Sequence, residues 1–139
     1  MRRILPLILL CTTTSVMAAG QYIDVAPRSA DEIKLMLDTL ASTVTVANAD
    51  TPPIVVMLHG DAAHHFIRAN YNANKNLVDQ TAALAAFNVI TVQICSTWLE
   101  KNDYAAADLF PFIDPVPYGV DELTRLSEEE GYTEFSVDL

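Results

Sequence analysis

Two uninterrupted apolar runs, each about as long as one β-strand, constrain the fold of this chain more than any other feature. The first is Ile54–Leu58, and the second covers residues 89–95 and is rich in β-branched side chains. A strand that is apolar on both of its faces is typical of a parallel sheet covered by helices on both sides. Parallel neighbours also need a crossover between them, and the chain between these runs has helical character. The two runs therefore predict an α/β fold.

The remaining elements continue the alternation of strands and helices. Ser29 and Glu32 have the spacing of a capping box, and they open a helix with the predicted apolar face Ile33, Leu35, Met36, Leu37 and Leu40. Thr97 and Glu100 repeat this spacing and open a short helix. Further strands are predicted at 22–25, 116–118 and 132–137, and further helices at 62–71, 74–86 and 120–130, the last stopped by Gly131. We therefore predict one domain of three layers, a mostly parallel sheet of about five strands with helices on both faces.

The N-terminal residues have the composition of a secretion signal. Arg2 and Arg3 precede an apolar run at residues 4–10, and small residues follow at Ala18 and Ala19. The run is far shorter than the roughly 20 residues that a membrane-spanning helix needs. We predict a signal peptide at residues 1–18, cleaved after Ala18 or Ala19. The mature domain, residues 19–139, is then exported to the periplasm or an equivalent compartment.

The chain is strongly acidic, with 18 acidic residues, 8 basic residues and a formal net charge of −10. Cleavage at the predicted site removes two arginines and no acid, which leaves six basic residues and a charge of −12. Such a surface repels phosphate backbones and anionic lipid headgroups. We therefore predict that the mature protein binds neither nucleic acid nor membranes, and we interpret the charge as a source of solubility.

The strongest candidates for chemistry stand at the ends of the two apolar runs. His59 follows the first run and Cys95 ends the second, so neighbouring strands would bring both to the carboxyl edge of the sheet. Cys95 is the only thiol left after cleavage, and the dipole of the helix that follows it favours the thiolate. We predict Cys95 and His59 as catalytic residues, with Gly60, Ser96 and Thr97 as binding residues. In the alternative interpretation, Cys95 is a small buried apolar residue and His59 is a structural group.

Three histidines and the cysteine also raise the question of a zinc or copper site. His64 and His65 lie close to His59 in sequence, and Cys95 would add a sulfur ligand. Adjacent histidines on a helix point about 100° apart, however, so at most one of them faces the same metal as His59. The sequence also lacks a paired-cysteine spacing and a glycine-rich phosphate loop. We therefore predict no metal and no cofactor, and metal carriage remains a third hypothesis.

Five segments in a fixed order carry a family resemblance: VVMLHG at 55–60, VITVQIC at 89–95, DLFP at 108–111, VPYGVDEL at 116–123 and EGY at 130–132. This ordered set resembles the DsrE/DsrF-like family over nearly all of the mature chain. The resemblance implies a flavodoxin-like sheet between helices and assembly into homo-trimers or hexamers. In the sulfur-relay members of that family a cysteine carries sulfur as a persulfide, and the residue that matches it is Cys95.

The sequence thus leads to two main functional hypotheses. In the first, the protein handles sulfur without a cofactor: Cys95 accepts a sulfane sulfur, holds it as a persulfide and passes it to a second thiol, and His59 tunes or orients it. Its partners would be thiol-bearing donor or acceptor proteins. In the second, the protein is a non-catalytic oligomeric binding module of the periplasm, and Cys95 is structural.

Overall fold

A computed structural model describes residues 19–25, 28–44 and 51–136, and it shows five strands and four α-helices within those ranges. The predicted signal peptide lies outside the described residues. The strands are β1 (Gln21–Asp24), β2 (Ile54–Leu58), β3 (Ile90–Cys95), β4 (Ile113–Val116) and β5 (Thr133–Glu134). The helices are α1 (Ala30–Val44), α2 (Tyr71–Ala86), α3 (Ser96–Lys101) and α4 (Gly119–Glu128). None of the described helices has the length and apolar character that a membrane crossing requires.

All strand pairs of the sheet are parallel, and the strand order is β4-β3-β2-β1-β5. The chain steps from β1 to β4 in one direction and then returns across the sheet, so that β5 pairs with β1. Because parallel crossovers are right-handed, the connections that run in one direction place their helices on one face of the sheet. The return connection places α4 on the other face. The predicted three-layer, flavodoxin-like α/β fold is confirmed.

The face of the sheet that carries α1 and α2, here called the core face, is closed by a continuous apolar core. Alternate residues of each strand point into it, as the two-residue period of a strand requires. From the strands these are Ile23, Ile54, Val56, Leu58, Ile90, Val92, Ile94 and Ile113, all buried. From α1 they are Ile33, Met36, Leu37 and Leu40. The predicted apolar side of α1 is therefore confirmed except for Leu35, which is 52% exposed because its position turns it away from the sheet.

The opposite face, here called the α4 face, is covered within the described residues by the ten-residue helix α4. Val55, Met57 and Leu126 are buried there, but the same layer also contains the amide of Gln93. Gln93 hydrogen-bonds Glu122, and its own Oε1 is buried without a hydrogen-bond partner among the described residues. Arg125 donates two hydrogen bonds to Glu122 and, by that contact above all, holds the pKa of the Glu122 carboxyl below its usual value. This face is the more polar and the more thinly covered of the two.

Helix ends follow local chemistry where the sequence provides it. The predicted capping box is present at α1: the Ser29 amide donates to Glu32 Oε2 at 2.7 Å, and the Glu32 amide donates to Ser29 Oγ at 3.3 Å. The predicted stop at Gly131 also has a physical basis, because this glycine adopts φ +70° beyond the end of α4. The Tyr132 amide then donates to the Leu126 carbonyl and closes the turn.

Three predicted elements are wrong in type, position or length. Residues 62–71 do not form an α-helix but two 3₁₀ segments, Gly60–Phe66 and Arg68–Asn70, before α2 begins. The strand predicted at 116–118 lies earlier, at Ile113–Val116; its Pro115 is compatible with an edge strand, where a missing amide donor costs little. The final strand has two residues rather than six, and Val137 lies outside the described residues.

Candidate functional site

The carboxyl edge of the sheet brings the predicted catalytic residues together. β2 and β3 are neighbours, with Leu58 paired to Ile94, so the residues that end these strands lie side by side. His59 and Cys95 both line one cavity of about 300 Å³ at this edge. The other lining residues are Gly60, Thr97, Trp98, Lys101, Tyr118, Gly119 and Val120.

His59 is held by a carboxylate that the sequence analysis missed. Its Nε2 lies 2.7 Å from Oδ1 of Asp24, the last residue of β1, and both side chains are partly buried. A carboxylate accepts hydrogen bonds, so the proton of the neutral ring belongs on Nε2, and Nδ1 is the basic nitrogen. The two residues are 35 positions apart, and in the sequence Asp24 is marked only as an acidic residue within a predicted strand. An acidic residue near the end of a parallel strand was the one available signal.

Cys95 occupies the N-cap position of α3, with the extended backbone conformation that this position requires. It is 6% exposed, which makes it part of the cavity wall rather than an open surface thiol. The start of α4 packs directly against it. A Cβ placed on Gly119 would lie 3.4 Å from the Cys95 Cβ and 3.1 Å from Met57 Sδ. Glycine at position 119 therefore permits the close approach between helix and thiol.

Helices α3 and α4 both begin at the cavity. Their N-cap residues are Cys95 and Tyr118, and neither side chain makes a capping hydrogen bond. The first-turn amide groups of each helix are therefore not capped by these side chains, and their partial positive charge is directed at this edge of the sheet.

The predicted binding residues separate into two groups. Gly60 and Thr97 line the cavity, whereas Ser96, the first residue of α3, does not belong to its lining. Thr97 does not cap α3 as predicted, because the N-cap lies two residues earlier, at Cys95, and the helix begins at Ser96. Its hydroxyl instead donates to the Pro117 carbonyl at 3.0 Å and ties α3 to the segment that leads into α4. Gly60 has φ +59°, a conformation that glycine adopts without strain.

The remaining two histidines point to other neighbours. His64 packs edge-on against the Trp98 ring, with 4.7 Å between ring centroids, and His65 Nδ1 lies 3.1 Å from Asn74 Oδ1. Within the part of the chain that the structure describes, no group of three His, Cys, Asp or Glu side chains is placed to hold a metal ion.

The comparisons with known proteins bear on the fold. No protein-family model matches the sequence, and no curated protein matches it. Among solved structures, the chain is similar to the protein of unknown function MTH1491 from Methanobacterium thermoautotrophicum, with a TM-score of 0.62 and 18% sequence identity. The match covers 84% of this chain and 95% of the other. At this identity the likeness supports the flavodoxin-like α/β fold and leaves the activity to be argued from the site.

Proposed function

We propose that this protein is a sulfur carrier that holds sulfane sulfur as a persulfide on Cys95. The observation that carries the proposal is the shared cavity of Cys95 and His59, in which the imidazole is held by Asp24. A thiol, a base and a carboxylate that orients the base are the parts that an activated sulfur nucleophile requires. The resemblance to the DsrE/DsrF-like family supports the same chemistry.

The transfer step needs no oxidant and no cofactor. The Cys95 thiolate attacks the outer sulfur of a donor persulfide, R–S–SH. The S–S bond of the donor breaks, a new S–S bond forms on Cys95, and the donor leaves as the thiolate R–S⁻ with the bonding electron pair. Nδ1 of His59 accepts the Cys95 proton before the attack, and the resulting imidazolium supplies a proton to the leaving thiolate. A second thiol removes the sulfur by the same exchange in reverse.

The surroundings of Cys95 suit the charged states of this cycle. In the proposed cycle the sulfur that changes charge lies at the edge of the sheet where α3 and α4 begin, and the N-cap side chains leave the first-turn amides of both helices uncapped. Asp24 keeps the His59 ring in one orientation, and it stabilises the imidazolium that forms when the ring takes the Cys95 proton. Loss of His59 should therefore lower the loading rate without abolishing it.

Mass spectrometry after incubation with a persulfide donor tests the proposal. We expect wild-type protein to gain one sulfur, Cys95→Ala to gain none, and His59→Gln to load about a hundredfold more slowly, the usual scale for loss of a positioned base. Ser96→Ala is the matched control, because Ser96 is the neighbour of Cys95 but lies outside the cavity lining. Sulfur uptake by Cys95→Ala would disprove the proposal.

A specific observation also favours the second candidate, an oligomeric binding module in which Cys95 is structural. Cys95 is 6% exposed, whereas Tyr118 and Val120 at the same cavity are 47% and 50% exposed and present an apolar surface to a ligand or partner. This function predicts that native Cys95 resists iodoacetamide and reacts after unfolding. Labelling of the native protein at the rate of a free thiol would contradict it.

The proposal extends to the cellular setting. The secretion signal predicted at residues 1–18 supports export to the periplasm, and the family resemblance supports a trimer or hexamer with a thiol-bearing donor or acceptor protein as partner. Cell fractionation with N-terminal sequencing tests the cleavage after Ala18 or Ala19. Light scattering of the purified mature protein tests the oligomeric state, and a monomeric mass would overturn the trimer or hexamer.

A further inference from the structure

Cys95 is reached through the cavity rather than from an open surface. Cys95 forms part of the wall of the cavity and is 6% exposed, so a donor sulfur has to enter the cavity to contact the thiol. A volume of about 300 Å³ lies at the lower end of small-molecule sites. The geometry thus favours a donor of a few heavy atoms.

The residues that line the cavity indicate which chemical class of donor it can bind. Trp98, Tyr118 and Val120 offer carbon surface, and Lys101 offers a positive charge. Three of the six cations among the described residues have carboxylate partners: Lys34 pairs with Asp38, Lys75 with Asp79 and Arg125 with Glu122 and Glu130. Among the described residues, no carboxylate lies within ion-pair distance of Lys101.

We infer that the sulfur donor of this site is a small organic persulfide that carries a carboxylate. Lys101 binds the carboxylate, the rings of Trp98 and Tyr118 contact the carbon chain, and the persulfide end reaches Cys95. The inference rests on the proposed function, because it names the donor for the sulfur transfer to Cys95. The reaction is the same thiol–persulfide exchange, in which R is a carboxylate-bearing chain that leaves as its thiolate.

Binding is measured separately from sulfur transfer. Trp98 is the only tryptophan of the chain and lines the cavity, so its fluorescence reports ligand binding directly. The probes are 3-(methylthio)propionate, which is anionic and unreactive, and 2-(methylthio)ethanol, its neutral analogue. We expect wild-type protein to bind the anion about two- to fivefold more tightly than the alcohol, the range for an exposed ion pair, and this preference to shrink as salt is raised.

Three variants test whether Lys101 causes the preference for the anionic probe. Lys101→Met should bind both probes equally, Lys101→Arg should keep the preference, and Arg68→Met, which removes an exposed cation outside the cavity lining, should behave as wild type. The same ordering is expected for loading rates with the persulfides of 3-mercaptopropionate and 2-mercaptoethanol. Equal binding of the two probes by wild-type protein, or an unchanged preference in Lys101→Met, would overturn the inference.

Different results would overturn the sulfur carrier and the carboxylate-bearing donor. Loading of Cys95 at equal rates from both persulfides, with no effect of Lys101→Met, would retain the sulfur carrier and overturn the carboxylate-bearing donor. Selective, Lys101-dependent binding of the anion without sulfur transfer from either persulfide would overturn the sulfur carrier, and the carboxylate-bearing donor with it. The site would then be a binding site for small carboxylates.

Discussion

The two faces of the sheet differ in what they bury, and β3 shows the difference within one strand. Val92 and Ile94 point to the core face and are fully buried among apolar side chains. Gln93 and Cys95 point to the α4 face, where one contacts Glu122 and the other lines the cavity. Adjacent residues of the same strand therefore belong to two environments with different chemistry.

This division follows from the strand order. Three successive crossovers in one direction place their helices over the core face, and the single return connection supplies α4 to the other. The core face can bury a continuous apolar layer, and it supplies most of the hydrophobic stabilisation. The α4 face is covered by a shorter helix, which leaves room at the carboxyl edge for a cavity, a thiol and a histidine. The following predictions test this separation of stability from chemistry.

The largest expected effect is on the core face. Ile94→Ala should lower the free energy of unfolding by about 3 kcal/mol, because it removes buried methyl groups and leaves a cavity in a fully packed region. Cys95→Ala, the next residue on the opposite face, should cost about 1 kcal/mol, since it removes a single buried sulfur atom. Urea unfolding measures both. Equal costs at the two positions would show that Cys95 belongs to the core.

A smaller effect is expected where α4 meets the site. Gly119→Val should lower the free energy of unfolding by about 1–3 kcal/mol, because the new side chain has to displace Met57 and Cys95 from close contact. It should also slow alkylation of Cys95 by iodoacetamide. Val120→Ala, at an exposed neighbouring position, should change stability by less than about 0.5 kcal/mol. An unchanged labelling rate in Gly119→Val would argue against the placement of α4 beside the thiol.

Removing the capping box of α1 should destabilise the core face without changing a core residue. Ser29→Ala should cost about 1 kcal/mol in urea unfolding, because the first turn of α1 loses its side-chain acceptor. Sulfur loading of Cys95 should stay unchanged, since α1 lies on the face opposite the cavity. Ser42→Ala, near the other end of the helix, is the control, with less than about 0.5 kcal/mol expected. A loss of sulfur loading in Ser29→Ala would break the separation of the two faces.

The smallest effect is a pH dependence on the α4 face. Hydrogen bonds from Arg125 lower the pKa of Glu122 below its ordinary 4.5, so this carboxylate stabilises the fold above that pH. Its contribution is lost as the pH falls through the lowered pKa. Glu122→Gln should therefore remove part of the acid sensitivity in urea unfolding, by a small amount because Arg125 is partly exposed. Glu129→Gln, outside these ion pairs, should leave the wild-type pH profile unchanged, and an unchanged profile in Glu122→Gln would contradict the prediction.

The local features of the fold were predictable because their causes are local. The Ser29–Glu32 box, the turn at Gly131 and the two central strands depend on residues within a few positions of one another. The segment at 62–71 was predicted as an α-helix because the 3₁₀ turn that forms there buries Ala62, Ala63 and Phe66, positions that an α-helix would also bury on one side, so the pattern does not distinguish the two. The capping role of Thr97 was wrong because a hydroxyl with the right spacing also had a distant carbonyl to bind.

Part of the candidate site was also predictable from the sequence. Cys95 and His59 each end a strand, and parallel strands share one carboxyl edge, so their proximity followed once the strands were neighbours. Asp24 could not be assigned to His59, since that contact depends on β1 pairing with β2. Lys101, Trp98 and Tyr118 gave no signal of a site at all. They meet only because α3 and the segment before α4 converge above the ends of β3 and β4.

By itself, the sequence determined that this chain forms a parallel α/β sheet, and it marked the two residues most able to carry chemistry. A strand's side chains alternate between faces with a period of two, so the pattern of each strand already separates two sets of residues. Only the tertiary structure decided which set meets the core and which meets the cavity. Strand order and crossover direction determine which face the helices cover, and both arise from contacts between segments far apart along the chain.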